Sequence, residues 1–247
     1  AESSDAENAL TEGTAAERWV EHLDALVAET VAAEKAHHIQ VAVLGTYVEL
    51  AINDESRLCN VADFKSQLAV CKALGAGCIG TETTAMSKQP AGTTRAQAQE
   101  LLCRSLAEIL PAAEALGVTV GIEPVTYHSM NSAAATRHIL DTMRSPNLKV
   151  IFDMSNLVSA ENVDAQDRIW YDMGALLGDQ IVAVHFKGQA FAPDGSLLHT
   201  SLEESRTDYA GAFAMLRQLP QPTLPVLREE AVPARAASDI AFMKGFF

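Results

Sequence analysis

The chain has 247 residues, 48% of them apolar and 20% charged, which is enough for one barrel or one large α/β unit with a sizeable core. A formal charge of −14 and a pI near 4.8 argue against a nucleic-acid partner and against electrostatic docking on a membrane, since both ask for a basic face. Cys59, Cys71, Cys78 and Cys103 form no CxxC pair and no zinc-type spacing with histidine, so they read as reduced thiols of a cytoplasmic protein, and no apolar run reaches the length of a membrane span.

Residues 1–15 form a polar leader without the character of a signal peptide. Trp19, Val20, Leu23, Leu26, Val27 and Val31 then recur at helical spacing and predict a helix to about residue 36. A strand over 39–44 follows, then a helix over 62–74 stopped by Gly75, and a strand over 78–82. Thr94 opens a long helix that ends at Gly117. After that come a strand over 118–123, a helix over 133–143, a strand over 148–153, a helix over 165–177 and a strand over 181–186. A Gly-, Asp- and Ser-rich loop separates the last of these from a helix over 209–219, a strand over 224–229 and a closing helix over 234–246.

Six strands alternating with helices predict a parallel sheet with right-handed crossovers, in one domain over 1–247. Strand parity points to a barrel. Val118, Val120 and Ile122 would face helices, whereas Thr119, Gly121 and Glu123 would face the lumen; His185 would share its face with Ala183 and Ile181. The expected fold is therefore α/β, a (β/α)8 barrel whose first one or two strands are missing from the start of the chain. A second copy covering the open edge would make it a homo-oligomer.

Four consecutive strands end in a potential metal ligand: Glu123, Asp153, His185 and Glu229. Chemistry in such folds collects at the carboxyl ends of strands. Taken singly, an acidic residue there is more often a helix cap or a solvated side chain, and a buried histidine is more often a hydrogen-bonded core residue. The joint pattern with matching parity favours one hard divalent cation. Carboxylates plus one imidazole suit Mn²⁺ or Mg²⁺ and tolerate Co²⁺ or Zn²⁺, and the lack of thiolate disfavours a structural zinc.

The segments Gly121-Ile122-Glu123-Pro124-Val125, Phe152-Asp153-Met154-Ser155-Asn156, Val184-His185-Phe186-Lys187 and Leu227-Arg228-Glu229-Glu230 resemble the xylose isomerase-like barrel superfamily of sugar (phosphate) isomerases and epimerases. Val43-Leu44-Gly45-Thr46-Tyr47 and the stretch from Cys71 to Thr83 are similar to that family's middle strands, so the resemblance spans about residues 39–230 in order. It implies that Glu123, Asp153, His185 and Glu229 hold one divalent metal and that Glu123 and Glu229 also shuttle a proton. Glu230, adjacent to Glu229, stays open as the alternative ligand. His128, Asn156, Lys187, Glu82 and Tyr47 are candidate substrate contacts, with Asn131 beside His128. Asn156 stands where many relatives carry a histidine, and Ser201-Leu202-Glu203-Glu204-Ser205 replaces the usual glycine-rich segment.

The implied reaction converts a ketose or related polyol ketone, free or phosphorylated, through a cis-enediolate, giving an isomer or an epimer. A metal-dependent inosose-type dehydratase is the nearest alternative. A glycosidase with paired glutamates would leave Asp153 and His185 without a role. A non-catalytic sugar-binding protein, or an inactive truncated barrel, is the alternative of another class.

Overall fold

The computed structural model describes residues 22–221, 223–230 and 232–247; the predicted leader and the start of the first helix lie outside them. Helix α1 runs over residues 22–37. It is followed by β1 (Val43–Gly45), α2 (Asp54–Leu74), β2 (Cys78–Glu82), α3 (Arg95–Leu116), β3 (Val120–Glu123), α4 (Ala133–Met143), β4 (Leu148–Asp153), α5 (Gln166–Leu177) and β5 (Ile181–Phe186). A short antiparallel hairpin, β6 (Gln189–Phe191) and β7 (Leu197–His199), precedes α6 (Tyr209–Leu216), β8 (Val226–Arg228) and α7 (Ala236–Lys244).

The main sheet has the order β1-β2-β3-β4-β5-β8 and every pairing in it is parallel. Each strand is joined to the next through a helix, which is the connectivity of six consecutive units of a (β/α)8 barrel. The sheet is curled: Tyr47, just past β1, donates a hydrogen bond from its hydroxyl to Glu229, just past β8, at 3.2 Å. The two terminal strands of the sheet therefore converge at their carboxyl ends. Among the described residues the main sheet has six strands, with β1 and β8 at its edges, in line with the barrel short of strands that the sequence predicts.

The helices begin and end where short-range chemistry dictates. Asn53 caps α2 by accepting from the Ser56 amide at 2.9 Å, and Thr94 and Gln97 form a reciprocal capping box at the start of α3. Ser132 caps α4 and Asp208 caps α6 in the same way. Helix α2 starts at Asp54, well before the predicted start at residue 62, because this cap extends it through a polar first turn.

Two apolar layers result from the alternation of side chains along the strands. Ile79, Val120, Ile122, Val150, Phe152, Val184 and Phe186 face the helices and join the large core. Cys78, Ile151 and Ala183 form a small lumen cluster, flanked by Val43, Val182 and Leu227. The predicted parity of β3 holds. On β5 it fails at one residue: Ile181 belongs to the outer core while Val182 packs on the lumen cluster. The cause is a register shift, in which Val150 pairs with Ile181 but Ile151 pairs with Ala183. An extra residue there reverses the face of the segment before it.

Phe186 anchors β5 to the closing helices. Its ring stacks on Tyr209 at 4.2 Å between centroids and meets Phe213, Phe242 and Phe246. This packing fixes the strand whose opposite face presents His185 to the lumen.

Candidate metal centre

Glu123 and Asp153 end β3 and β4 and His185 is the last residue but one of β5, all on the lumen face, and Glu229 follows β8 directly. The cross-strand register places Glu82 beside Glu123 and Asp153 beside His185. One ligand atom from each of Glu123, Asp153, His185 and Glu229 lies within 4.8 Å of the others. An octahedral shell with bonds of about 2.1 Å spans about 4.2 Å across, so a small inward shift brings all four onto one ion. The sequence-predicted ligands are thus together, at the depth expected for a strand-end site: Asp153 is 0% and Glu123 3% exposed.

Two unsatisfied atoms show that the donor set fits a cation. Asp153 Oδ2 and His185 Nδ1 are buried and meet their charged neighbours without forming a well-aligned hydrogen bond. Buried polar atoms are rarely left so. His185 Nδ1 lies 3.0 Å from Glu123 Oε2 and 3.5 Å from Glu229 Oε1. Burial alone would keep the imidazole neutral, but those two carboxylates raise its pKa to about 10. Burial pushes the Asp153 carboxyl well above its ordinary range, with Lys187 opposing and Glu123 adding to the rise. For Glu229, burial is outweighed by His185 and Lys187, which hold its carboxyl well below the usual range. The crowd of carboxylates draws positive charge from whatever is near, and a divalent ion answers that demand. The buried acidic and histidine cluster can therefore bind one metal ion.

All five candidate substrate contacts touch this cluster or its immediate neighbours. Asn156 donates through its side-chain amide to Glu123 Oε1, and to Glu82 Oε1 at 3.3 Å, while its backbone N–H donates to Asp153 Oδ1 at 2.9 Å. It thereby orients two of the four candidate ligands, a part that needs the short turn after β4. Lys187 sits 3.3 Å from both Asp153 and Glu229. The Tyr47 hydroxyl binds Glu229, and burial beside that carboxylate raises the phenol's pKa. Glu82, pushed up to about 7 by burial and by Glu123, stands 3.8 Å from His128 Nε2. His128 is itself held by a backbone bridge to Ala85 and by Arg95, which donates to its carbonyl. Tyr47, Glu82, Lys88, Tyr127 and His128 line a cavity of about 400 Å³ that opens beside the centre. Asn131 makes no side-chain hydrogen bond among the described residues.

Sequence reasoning missed the support around these groups. Ser155 Oγ and the Tyr209 hydroxyl both donate to the Lys187 carbonyl, at 2.6 and 2.7 Å, and Gln189 donates to the Ser155 carbonyl at 2.6 Å. Gly188 allows the hairpin to close against this segment, since a Cβ there would lie 2.4 Å from the Thr200 carbonyl oxygen. The buried pair Arg228–Asp239, at 2.7 Å, ties β8 to α7, and Arg228 also donates to the Glu229 carbonyl. No local pattern marks this layer, because its partners lie far apart in the sequence.

Among the described residues no helix is long and apolar enough to cross a membrane. No curated protein sequence matches the chain. Solved structures do, at low identity. One described as a D-tagatose 3-epimerase-like protein superposes with a TM-score of 0.72 at 13% identity, covering 89% of this chain and 81% of that one. The IOLI protein with a bound zinc atom gives 0.70 at 17% identity over 89% and 79% of the two chains. A probable 3-DHS dehydratase from Bacillus anthracis gives 0.67 at 14% identity over 92% and 84%. These similarities show the shared fold. The family described as xylose isomerase-like TIM barrel matches residues 10–245, nearly the whole sequence, and the chain belongs to that family.

Proposed function

We propose that the protein is a divalent-metal-dependent sugar isomerase or epimerase that moves a proton on a ketose, or a related polyol ketone, through a cis-enediolate. The observation that carries this reading is the convergence of Glu123, Asp153, His185 and Glu229 on one buried point, with two glutamates flanking the imidazole. These four residues would hold the ion, with Mn²⁺ or Mg²⁺ suiting the oxygen-rich set best and Co²⁺ or Zn²⁺ tolerated. When bound, the ion would polarise a carbonyl and stabilise the negative charge that develops on the sugar oxygens.

The chain's own residues supply the proton transfers. One of Glu123 and Glu229 takes the proton from the carbon next to the carbonyl, and the other returns one. Return to the opposite face of the same carbon gives an epimer; return to the neighbouring carbon gives an isomer. Asn156 fixes the rotamer of Glu123 and Tyr47 that of Glu229, so each carboxylate is held before the substrate arrives. Glu82, His128 and Lys187 are placed to bind the hydroxyls or carbonyl oxygen of the sugar. The likeness to a dehydratase supports a second reading, in which the same proton abstraction is followed by loss of a hydroxyl. The unpaired state of all four cysteines suits a reducing, cytoplasmic setting, and a second copy across β1 and β8 is the expected assembly.

The test is incubation of Mn²⁺-loaded protein with a panel of ketoses and inososes, with and without phosphate, in D₂O. Deuterium entering at carbon 2 or 3 with a new sugar product is the expected result; water loss marks the dehydratase. Glu123→Gln and Glu229→Gln should each lower turnover by about 10²-fold or more, and persistence of turnover in both would refute the acid–base assignment.

A further inference from the structure

Lys187 follows His185 by two residues, so its side chain leaves the strand end on the same face. That side chain is only 8% exposed, and its ammonium lies 3.3 Å from Asp153 Oδ2 and 3.3 Å from Glu229 Oε2. Both partners are ligand candidates, and Asp153 Oδ2 is the oxygen left without a hydrogen bond. The ammonium therefore stands against two of the four side chains that converge there. We propose that Lys187 is an internal counter-ion of the centre, neutralising Asp153 and Glu229 while no metal is bound and displaced onto Glu230 when a divalent cation takes those carboxylates. The inference rests on the metal-binding reading given above.

The need for such a counter-ion follows from burial. Asp153 is wholly buried and the Glu123 and Glu229 carboxylates crowd it. An uncompensated carboxylate at that depth is strongly destabilising. A lysine and a divalent ion cannot both occupy the same two carboxylates, because like charges at such a distance repel in a poorly solvated site. Metal binding must therefore send the ammonium elsewhere.

Glu230 provides the place. Its carboxylate Oε1 already lies 4.0 Å from Lys187 Nζ, and it is not one of the four converging ligands. In an extended strand Glu229 and Glu230 would point to opposite faces. Glu230 has φ +54°, the left-handed region that a non-glycine residue adopts at a cost, and this brings both consecutive carboxylates around the same lysine. Its other oxygen is 2.8 Å from His199 Nδ1 on β7, which fixes it there. Two hydrogen bonds into the Lys187 carbonyl hold the main chain, so the handover needs only the flexible stem of the side chain to swing.

The experiment compares chelator-stripped wild type with Lys187→Met, reading Mn²⁺ affinity by calorimetry and thermal melting with EDTA or Mn²⁺. The expected result is a metal-free variant that melts lower than wild type, binds Mn²⁺ at least about 10-fold more tightly because a like charge beside the ion is gone, and gains more from it in melting temperature. Equal or weaker affinity in the variant would overturn the inference. Lys187→Gln serves the same comparison if the methionine variant does not fold. Glu230→Gln should weaken Mn²⁺ binding in wild type and do so less in the Lys187→Met background; equal effects in both would also overturn it. If wild type itself binds no divalent ion, the metal reading fails as a whole, whereas normal binding with no effect of Lys187→Met sinks only the counter-ion.

Discussion

Gly121→Ala tests whether β3 presents alternate residues to a packed lumen, the arrangement that points Glu123 inward two residues later. A Cβ at position 121 would lie 2.8 Å from Ile151 Cγ1 and 3.0 Å from its Cδ1. Carbon atoms pack at about 3.5–4.0 Å, so the isoleucine must retreat by roughly 1 Å in a cluster already closed by Cys78 and Ala183. Overpacking of this kind costs about 1–3 kcal/mol. For a chain of this size that corresponds to roughly 3 °C in melting temperature per kcal/mol. Ile151→Ala alone should cost about 2–5 kcal/mol through lost burial and a cavity. In the double variant the new methyl enters the vacated volume, so its destabilisation should fall short of the sum by about 1–3 kcal/mol. Urea unfolding at constant m-value measures all three variants. Additivity within about 0.5 kcal/mol would mean that Gly121 and Ile151 do not meet, and the inward direction of Glu123 would lose its basis.

Asn156→Ala removes the amide that orients Glu123 and Glu82 but leaves the backbone bond to Asp153; Mn²⁺ affinity or turnover should drop by about 10- to 100-fold, and unchanged values of both would contradict that role. His128 gives a pH prediction. Burial lowers its pKa to about 4 in the folded state, against about 6.5 when unfolded, so between these values the unfolded chain binds the additional proton. Its contribution to stability is thus present above about pH 6.5 and is lost as pH falls towards 4. Glu82, raised to about 7, acts with the opposite sign, which makes the comparison with His128→Gln the informative one. In EDTA the variant should lose less stability than wild type over that window, and parallel acid limbs would show that His128 is not held neutral.

Much of the fold was legible because hydrophobic runs and caps coincide. Strands β4 and β5 and helix α4 occupy the ranges read from the sequence, β4 ending at Asp153 and α4 starting from the Ser132 cap. The hairpin of β6 and β7 was read as loop: Leu197, Leu198 and His199 are all exposed, so no alternation marks the strand and only main-chain pairing makes it. The face of Ile181 was unreadable for a related reason, since a register shift depends on the neighbouring strand rather than on local pattern. At the site, the four converging side chains were legible by position, at or near strand ends. The choice between Glu229 and Glu230 was not, because it turns on one left-handed residue, and that same backbone torsion recruits Glu230 to Lys187.

The proposed reaction requires one divalent cation where Glu123, Asp153, His185 and Glu229 converge. Its most direct test is a calorimetric Mn²⁺ titration of chelator-stripped protein, with metal content counted per chain, beside Asp153→Ala and His185→Ala. One ion per wild-type chain, lost in both variants, is the expected result. Wild-type protein that takes up no divalent metal, or variants that bind it as wild type does, would contradict it.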